Sequence, residues 1–165
     1  MDNSHLVYEA LDQWQIPYER HEHPPTPTIN DCLKMPFIAA DVVICKNILL
    51  CNRQKTRFYL LLIMPEKTFH TSRVSHSLGV SRLSFAPDEM LPQLLGLEKG
   101  SVSPLGLLLD SEHQITLVCD SDIKKAPRIA FHPLVNTGTV IFDGEDFWNR
   151  LLPRMGVEPI WVDCD

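Results

Sequence analysis

A lysine between two apolar runs, a Gly/Ser turn entering a third and a histidine closing a fourth carry the chemistry of this chain. They are Cys45-Lys46-Asn47, Gly100-Ser101-Val102-Ser103-Pro104 and His132-Pro133-Leu134-Val135-Asn136-Thr137. Lys46 is flanked by Val42 to Cys45 and by Ile48 to Leu50. Burying its charge unpaired would cost several kcal/mol, so it either snorkels to solvent or is held toward a pocket. Beside it, the Asn47 amide both donates and accepts, which suits an anchor for a carbonyl or a phosphate. In the second patch Gly100 permits close backbone approach and Pro104 fixes the end of the loop. The Ser101 and Ser103 hydroxyls and the N–H groups around Val102 can line an oxyanion or ammonium site, although a plain turn has the same composition. His132 can serve as base, donor or metal ligand, or simply as a structural strand end, with Asn136 placed to orient it.

These residues need strands to hold them. Val42 to Cys45, Ile48 to Cys51 and Phe58 to Met64 are rich in β-branched, aromatic and long apolar residues, and Asn52 to Thr56 breaks them as a turn, which predicts a hairpin. Phe58 to Met64 does not alternate, so it is expected to be a central strand covered on both faces. Further strands are predicted at Tyr18 to His23, Leu105 to Leu109, Ile115 to Cys119, Ile129 to His132, Thr139 to Phe142 and Pro159 to Val162. Helices are predicted from a Ser4 N-cap to Pro17, from Thr28 toward Lys34, over Ser72 to Leu78 with a stop at Gly79, over Pro87 to Leu95, and over Glu145 to Met155. Strands in neighbouring runs with helices at intervals give a mixed α+β or α/β domain, with the ligand site where strands end.

At 165 residues the chain is expected to form one domain, residues 1 to 165. The 44% apolar and 22% charged content is that of an ordered globular protein. A formal charge of −6 argues against a broad cationic nucleic-acid surface and leaves only local clusters, Lys124-Lys125 with Arg128 and Arg53, Lys55 and Arg57. Five cysteines without a Cys-x-x-Cys pair signal neither a disulfide framework nor a zinc knuckle. The N-terminus has no leader pattern and no stretch is apolar enough for a membrane helix, so the chain reads as cytoplasmic with reduced thiols.

Taken in order, Cys45 to Leu50, Leu83-Ser84-Phe85-Ala86, Gly100 to Leu107 and Phe131 to Thr137 resemble the prolyl-tRNA synthetase-associated, YbaK-like editing domains, and most of all the free-standing alanyl-tRNA(Pro) deacylases. The resemblance implies a curved, mostly antiparallel sheet flanked by helices. It also implies hydrolysis of the ester on mischarged tRNA(Pro), with no cofactor and no metal. By that likeness Lys46 and His132 are the catalytic positions, and Asn47, Gly100, Ser101, Val102, Ser103, Pro104 and Asn136 bind substrate. Ser103 and Leu105 stand where the family as often has Thr and Phe. The implied partners are the acceptor end of tRNA(Pro) and either prolyl-tRNA synthetase or the elongation machinery. Alanine is the expected amino acid, with another small one such as cysteine as the alternative. A non-catalytic binder of tRNA or synthetase, a metal hydrolase using His21 and His23, and a thiol hydrolase using Cys45 remain as other readings.

Overall fold

The computed structural model describes residues 3–25, 35–95 and 101–164. The helix expected from Thr28 toward Lys34 lies outside them, as does Gly100.

In chain order come helix α1 (Ser4–Gln13), strand β1 (Glu19–Glu22), β2 (Val42–Ile44), β3 (Lys46–Cys51), β4 (Phe58–Ile63), helix α2 (Thr71–Leu78), β5 (Ser84–Phe85) and helix α3 (Met90–Leu95). A 3-10 segment (Pro104–Leu109), β6 (Ile115–Asp120), a second 3-10 segment (Ser121–Lys125), β7 (Arg128–Phe131) and β8 (Gly138–Asp143) follow. The last helix, α4, runs as Gly144–Asp146, a π-helical turn Phe147–Leu151 and Leu152–Arg154, before β9 (Ile160–Val162).

The strands form two mixed sheets. One has the order β1-β8-β7-β2 and the other β5-β3-β4-β6-β9. The mixed α+β class read from sequence therefore stands, and the curved sheet resolves into two. Its antiparallel character is diluted, because β2 pairs parallel with β7, β4 with β6 and β6 with β9.

Period-two projection explains how the sheets share a core. From β4, Phe58, Leu60 and Leu62 point into a cluster that also receives Ile129, Phe131, Val140 and Phe142 from the first sheet. Tyr59, Leu61 and Ile63 point the other way, against Val74 of α2 and Leu83. Every β4 residue is buried, as its unbroken apolar run predicts. Gly144 permits the turn from β8 into α4, since a Cβ there would collide with the Ala126 carbonyl.

Three local expectations change. The β3–β4 hairpin forms with Asn52 Oδ1 accepting from the N–H groups of Thr56 and Arg57, but β2 belongs to the other sheet. Leu105–Leu109 is not a strand: Ser103 Oγ accepts from Leu105 N at 3.1 Å and Pro104 occupies the first turn, so the apolar run starts as a capped 3-10 helix. Helix α3 begins only at Met90, because Pro87 and Asp88 form the preceding turn through their carbonyls. Elsewhere α2 ends as expected at Gly79, left-handed at φ 67°. Helix α1 stops before Pro17, at a left-handed Gln15.

Candidate active site

Cys45 is the pivot on which the chain crosses from one sheet to the other. Strand β2 runs parallel to β7 with Ile44 beside Ala130, so the next residues, Cys45 and Phe131, both enter the shared core. One step further, Lys46 and His132 leave the two strands at the same end. No hydrogen bond joins the lysine and the histidine.

Lys46 opens β3 opposite Ile63. Its Nζ donates to the backbone carbonyl of Lys67 at 2.7 Å, its only hydrogen bond or ion pair among the described residues. That carbonyl lies in the turn after β4, where Lys67 N donates to Met64 O. The Lys67 ammonium is differently held, 2.9 Å from Asp120 Oδ1 and 2.7 Å from Asp122 Oδ2. Asp120 is fully buried at the end of β6, where it also accepts from the N–H groups of Met64 and Asp122. Lys67 holds the Asp122 carboxyl below its ordinary range. Sequence reasoning missed this support; the available signal was an acid, Asp120, ending the apolar run Ile115 to Cys119.

Asn47 projects to the opposite side of the pleat from Lys46, with Leu49 and Cys51 toward the inter-sheet core. Its Nδ2 donates to Cys45 O at 3.3 Å, while Oδ1 is buried with no hydrogen-bond partner. A buried acceptor left unpaired costs about 1 to 3 kcal/mol.

His132 Nδ1 donates to Gly138 O at 2.8 Å and closes the 132–138 loop. The carbonyl only accepts, so this proton assigns the tautomer and leaves Nε2 as the acceptor of a neutral ring. Burial pushes the His132 pKa down, with the Gly138 bond opposing and His23 reinforcing. The His23 ring lies 6.3 Å from it, and His23 Nε2 is hydrogen-bonded to Thr139 Oγ1 at 2.7 Å. Asn136 sits in the turn of this loop, half-buried.

Of the Gly/Ser patch, Ser101, Ser103 and Pro104 are buried, and Val102 packs against the same core that holds Cys45 and Phe131. Ser103 is committed at least in part to capping. The alternative readings lose ground. His21 stacks on Phe37 at 4.0 Å, and the described residues contain no group of three His, Cys, Asp or Glu arranged to hold a metal. Full burial pushes the Cys45 thiol pKa far up, away from the thiolate a nucleophile needs. The Lys124, Lys125 and Arg128 cluster is not an open patch: Arg128 binds Asp41 and Glu19, Lys125 approaches Asp122, and Lys124 lies over the Trp161 ring. No helix among the described residues is long and apolar enough to cross a membrane.

The chain is 31% identical over 146 residues to the prolyl-tRNA editing protein ProX of Acetoanaerobium sticklandii, covering 88% of each. It is 30% identical to the prolyl-tRNA synthetase associated domain-containing protein 1 of Danio rerio, covering 95% of this chain and 85% of that one. A crystal structure proposed as a trans-editing enzyme for prolyl tRNA synthetase superposes with TM-score 0.74 at 18% identity, over 99% of this chain and 96% of the other, which shows a common fold. The profile of the aminoacyl-tRNA editing domain matches residues 23–149, a span that contains Lys46, Asn47, the Gly100 to Pro104 loop, His132 and Asn136. The chain belongs to the aminoacyl-tRNA editing domain family.

Proposed function

We propose that this editing domain is a trans-acting deacylase of mischarged tRNA(Pro), with Ala-tRNA(Pro) as its substrate. The observation that carries the reading is Lys46: a half-buried cation whose one partner among the described residues is a neutral carbonyl, and whose charge no carboxylate compensates. Such an ammonium is placed to take the 3′-terminal phosphate or the ester carbonyl as it gains negative charge. The aminoacyl ester is already activated, so the reaction needs a positioned water and a pocket more than a nucleophilic side chain. Water adds to the carbonyl, the C–O bond to the ribose breaks, and the ribose oxygen leaves with a proton. Asn47 Oδ1 is the acceptor for a substrate donor such as the amino group, and neutral His132 positions substrate through Nε2. The Gly100 to Pro104 loop, with Asn136, bounds the amino-acid side.

A synthetase rejects a smaller amino acid by only ~1 to 3 kcal/mol per methylene, so a second site that admits alanine and excludes proline supplies the missing discrimination. The partners of this reading are the tRNA acceptor end and prolyl-tRNA synthetase or the elongation machinery, and its compartment is the cytoplasm. The test is a panel of Ala-, Cys- and Pro-tRNA(Pro) with the wild-type protein. Preferential release of alanine is expected. Preferential release of cysteine changes the substrate, and tRNA binding without release of any amino acid overturns the reading.

A further inference from the structure

Charge is distributed unevenly along this chain, and the fold concentrates the imbalance. Between positions 42 and 87 stand seven cations, from Lys46 to Arg82, against one acid, Glu66, although the whole chain carries −6. The stretch from Lys46 to Phe85 folds into β3, β4, α2 and β5, and its three strands are neighbours in the second sheet. At its outer end the β3–β4 turn carries Arg53, Lys55 and Arg57, all exposed. Strand β5 pairs antiparallel with β3, with Cys51 beside Ser84, so Arg82, two residues before β5, lies toward the same end of the sheet as the turn that follows Cys51. None of these four forms an ion pair among the described residues. Phe85, 64% exposed and edge-on to Phe69 at 5.5 Å, lies on the adjoining edge.

Four exposed cations without an ion pair among the described residues, gathered at one end of the sheet in an acidic protein, make that end complementary to a polyanion. We propose that Arg53, Lys55, Arg57 and Arg82 form a docking surface for the phosphodiester backbone of the tRNA acceptor arm. This rests on the proposed function. Strand β3 links the two sites: Lys46 is its first residue and Cys51 its last, about 17 Å apart at ~3.4 Å per residue. An RNA whose 3′ end is held at Lys46 therefore has its duplex carried along β3 to the basic turn. The surface contributes affinity through phosphate neutralisation and counterion release, without reading sequence. Exposed Phe85 offers a ring face or edge to a ribose or an unpaired base beside it.

The experiment compares two substrates, full-length Ala-tRNA(Pro) and an alanylated CCA trinucleotide, with the wild type and with a quadruple variant, R53Q, K55Q, R57Q and R82Q. For full-length substrate KM rises about tenfold or more with kcat retained. The slope of log kcat/KM against log salt becomes shallower by about 0.7 to 0.9 for each phosphate that the variant no longer neutralises. Trinucleotide hydrolysis is unchanged. An unchanged KM for full-length tRNA, or an equal loss on the trinucleotide, overturns the surface. A matched variant, K124Q with K125Q, leaves KM alone; if it matches the quadruple loss, bulk charge explains the effect and the surface falls. Binding of uncharged tRNA(Pro), followed by fluorescence anisotropy, separates this proposal from the catalytic one. A wild type that deacylates nothing defeats the function, while tRNA binding lost only in the quadruple variant still supports the surface.

Discussion

Exposed cations in the 42–87 span and the arginines Arg20, Arg128 and Arg150 outside it are held in different ways. Outside the span, Arg128 ties β7 to Asp41 before β2 and to Glu19 on β1, Arg150 meets Asp146 one helical turn away, and Arg20 meets Glu22. The Arg128 pairs join separate segments, while those of Arg150 and Arg20 lie within α4 and β1. Inside the span, Lys46, Arg53, Lys55, Arg57 and Arg82 have no carboxylate partner among the described residues. Lys67 differs from them, taken up by Asp120 and Asp122 from the end of β6. The contrast between Lys46 and Lys67, joined by one hydrogen bond, teaches what each is for: the compensated lysine holds a turn, and the uncompensated one is held by that turn.

The sharpest way to break the comparison is to remove the compensation. Asp120→Ala deprives a largely buried ammonium, the Met64 N–H and the Asp122 N–H of their acceptor at once. Breaking buried pairs costs about 3 to 5 kcal/mol, and the lower end is expected here because Asp122 still reaches Lys67. Urea unfolding should show this as a lower midpoint with an unchanged slope. Lys67→Met tests the other side and should restore part of the loss in the Asp120→Ala background, since no buried cation is then left short of a partner.

Lys46→Ala is next in size and opposite in kind. Loss of one stabilising donor lowers kcat/KM for the mischarged tRNA about 10² to 10³-fold while urea unfolding barely changes, because only a solvent-edge bond to a carbonyl is removed. Full activity in this variant would remove the distinction between the two lysines. Lys46→Arg should recover part of the rate.

The smallest effect concerns His132, on the first sheet. Burial depresses its folded pKa below the ordinary 6.5, so the unfolded chain takes up the proton more readily. Its contribution to stability is complete above about pH 6.5 and is lost as pH falls through the depressed folded value. His132→Gln should therefore flatten the change in urea midpoint between pH 7.5 and pH 5.5. An identical pH slope in both proteins would place the titration elsewhere.

Much of the fold is readable from residue types. The unbroken run from Phe58 to Met64 announces a strand covered on both faces, and Asn52 to Thr56 announces the turn of its hairpin, because burial and turn chemistry act over a few residues. Leu105 to Leu109 misleads, because a short apolar run fits a buried strand and a buried helical turn equally. Ser103 and Pro104 decide it by offering a cap and a helical φ. The split between β2 and β3 is hidden too, since two apolar strands one residue apart look like one ladder until Cys45 is seen to cross between sheets.

The catalytic candidates follow the same division. Lys46, Asn47, the Gly100 to Pro104 loop, His132 and Asn136 are legible in local pattern and family likeness. That Asp120, 53 residues from Lys67, fixes the turn beneath Lys46 is not legible there, nor is the pairing that closes Arg128 and leaves Arg53 open. By itself the sequence determined the long apolar strands such as β4, which residues carry charge and how unevenly that charge is spread, because these depend on side-chain chemistry and short-range geometry. Only the tertiary structure decided which charges are neutralised and which are left for a ligand, because an ion pair depends on two groups meeting within a few ångströms, and distance along the chain does not set distance in space.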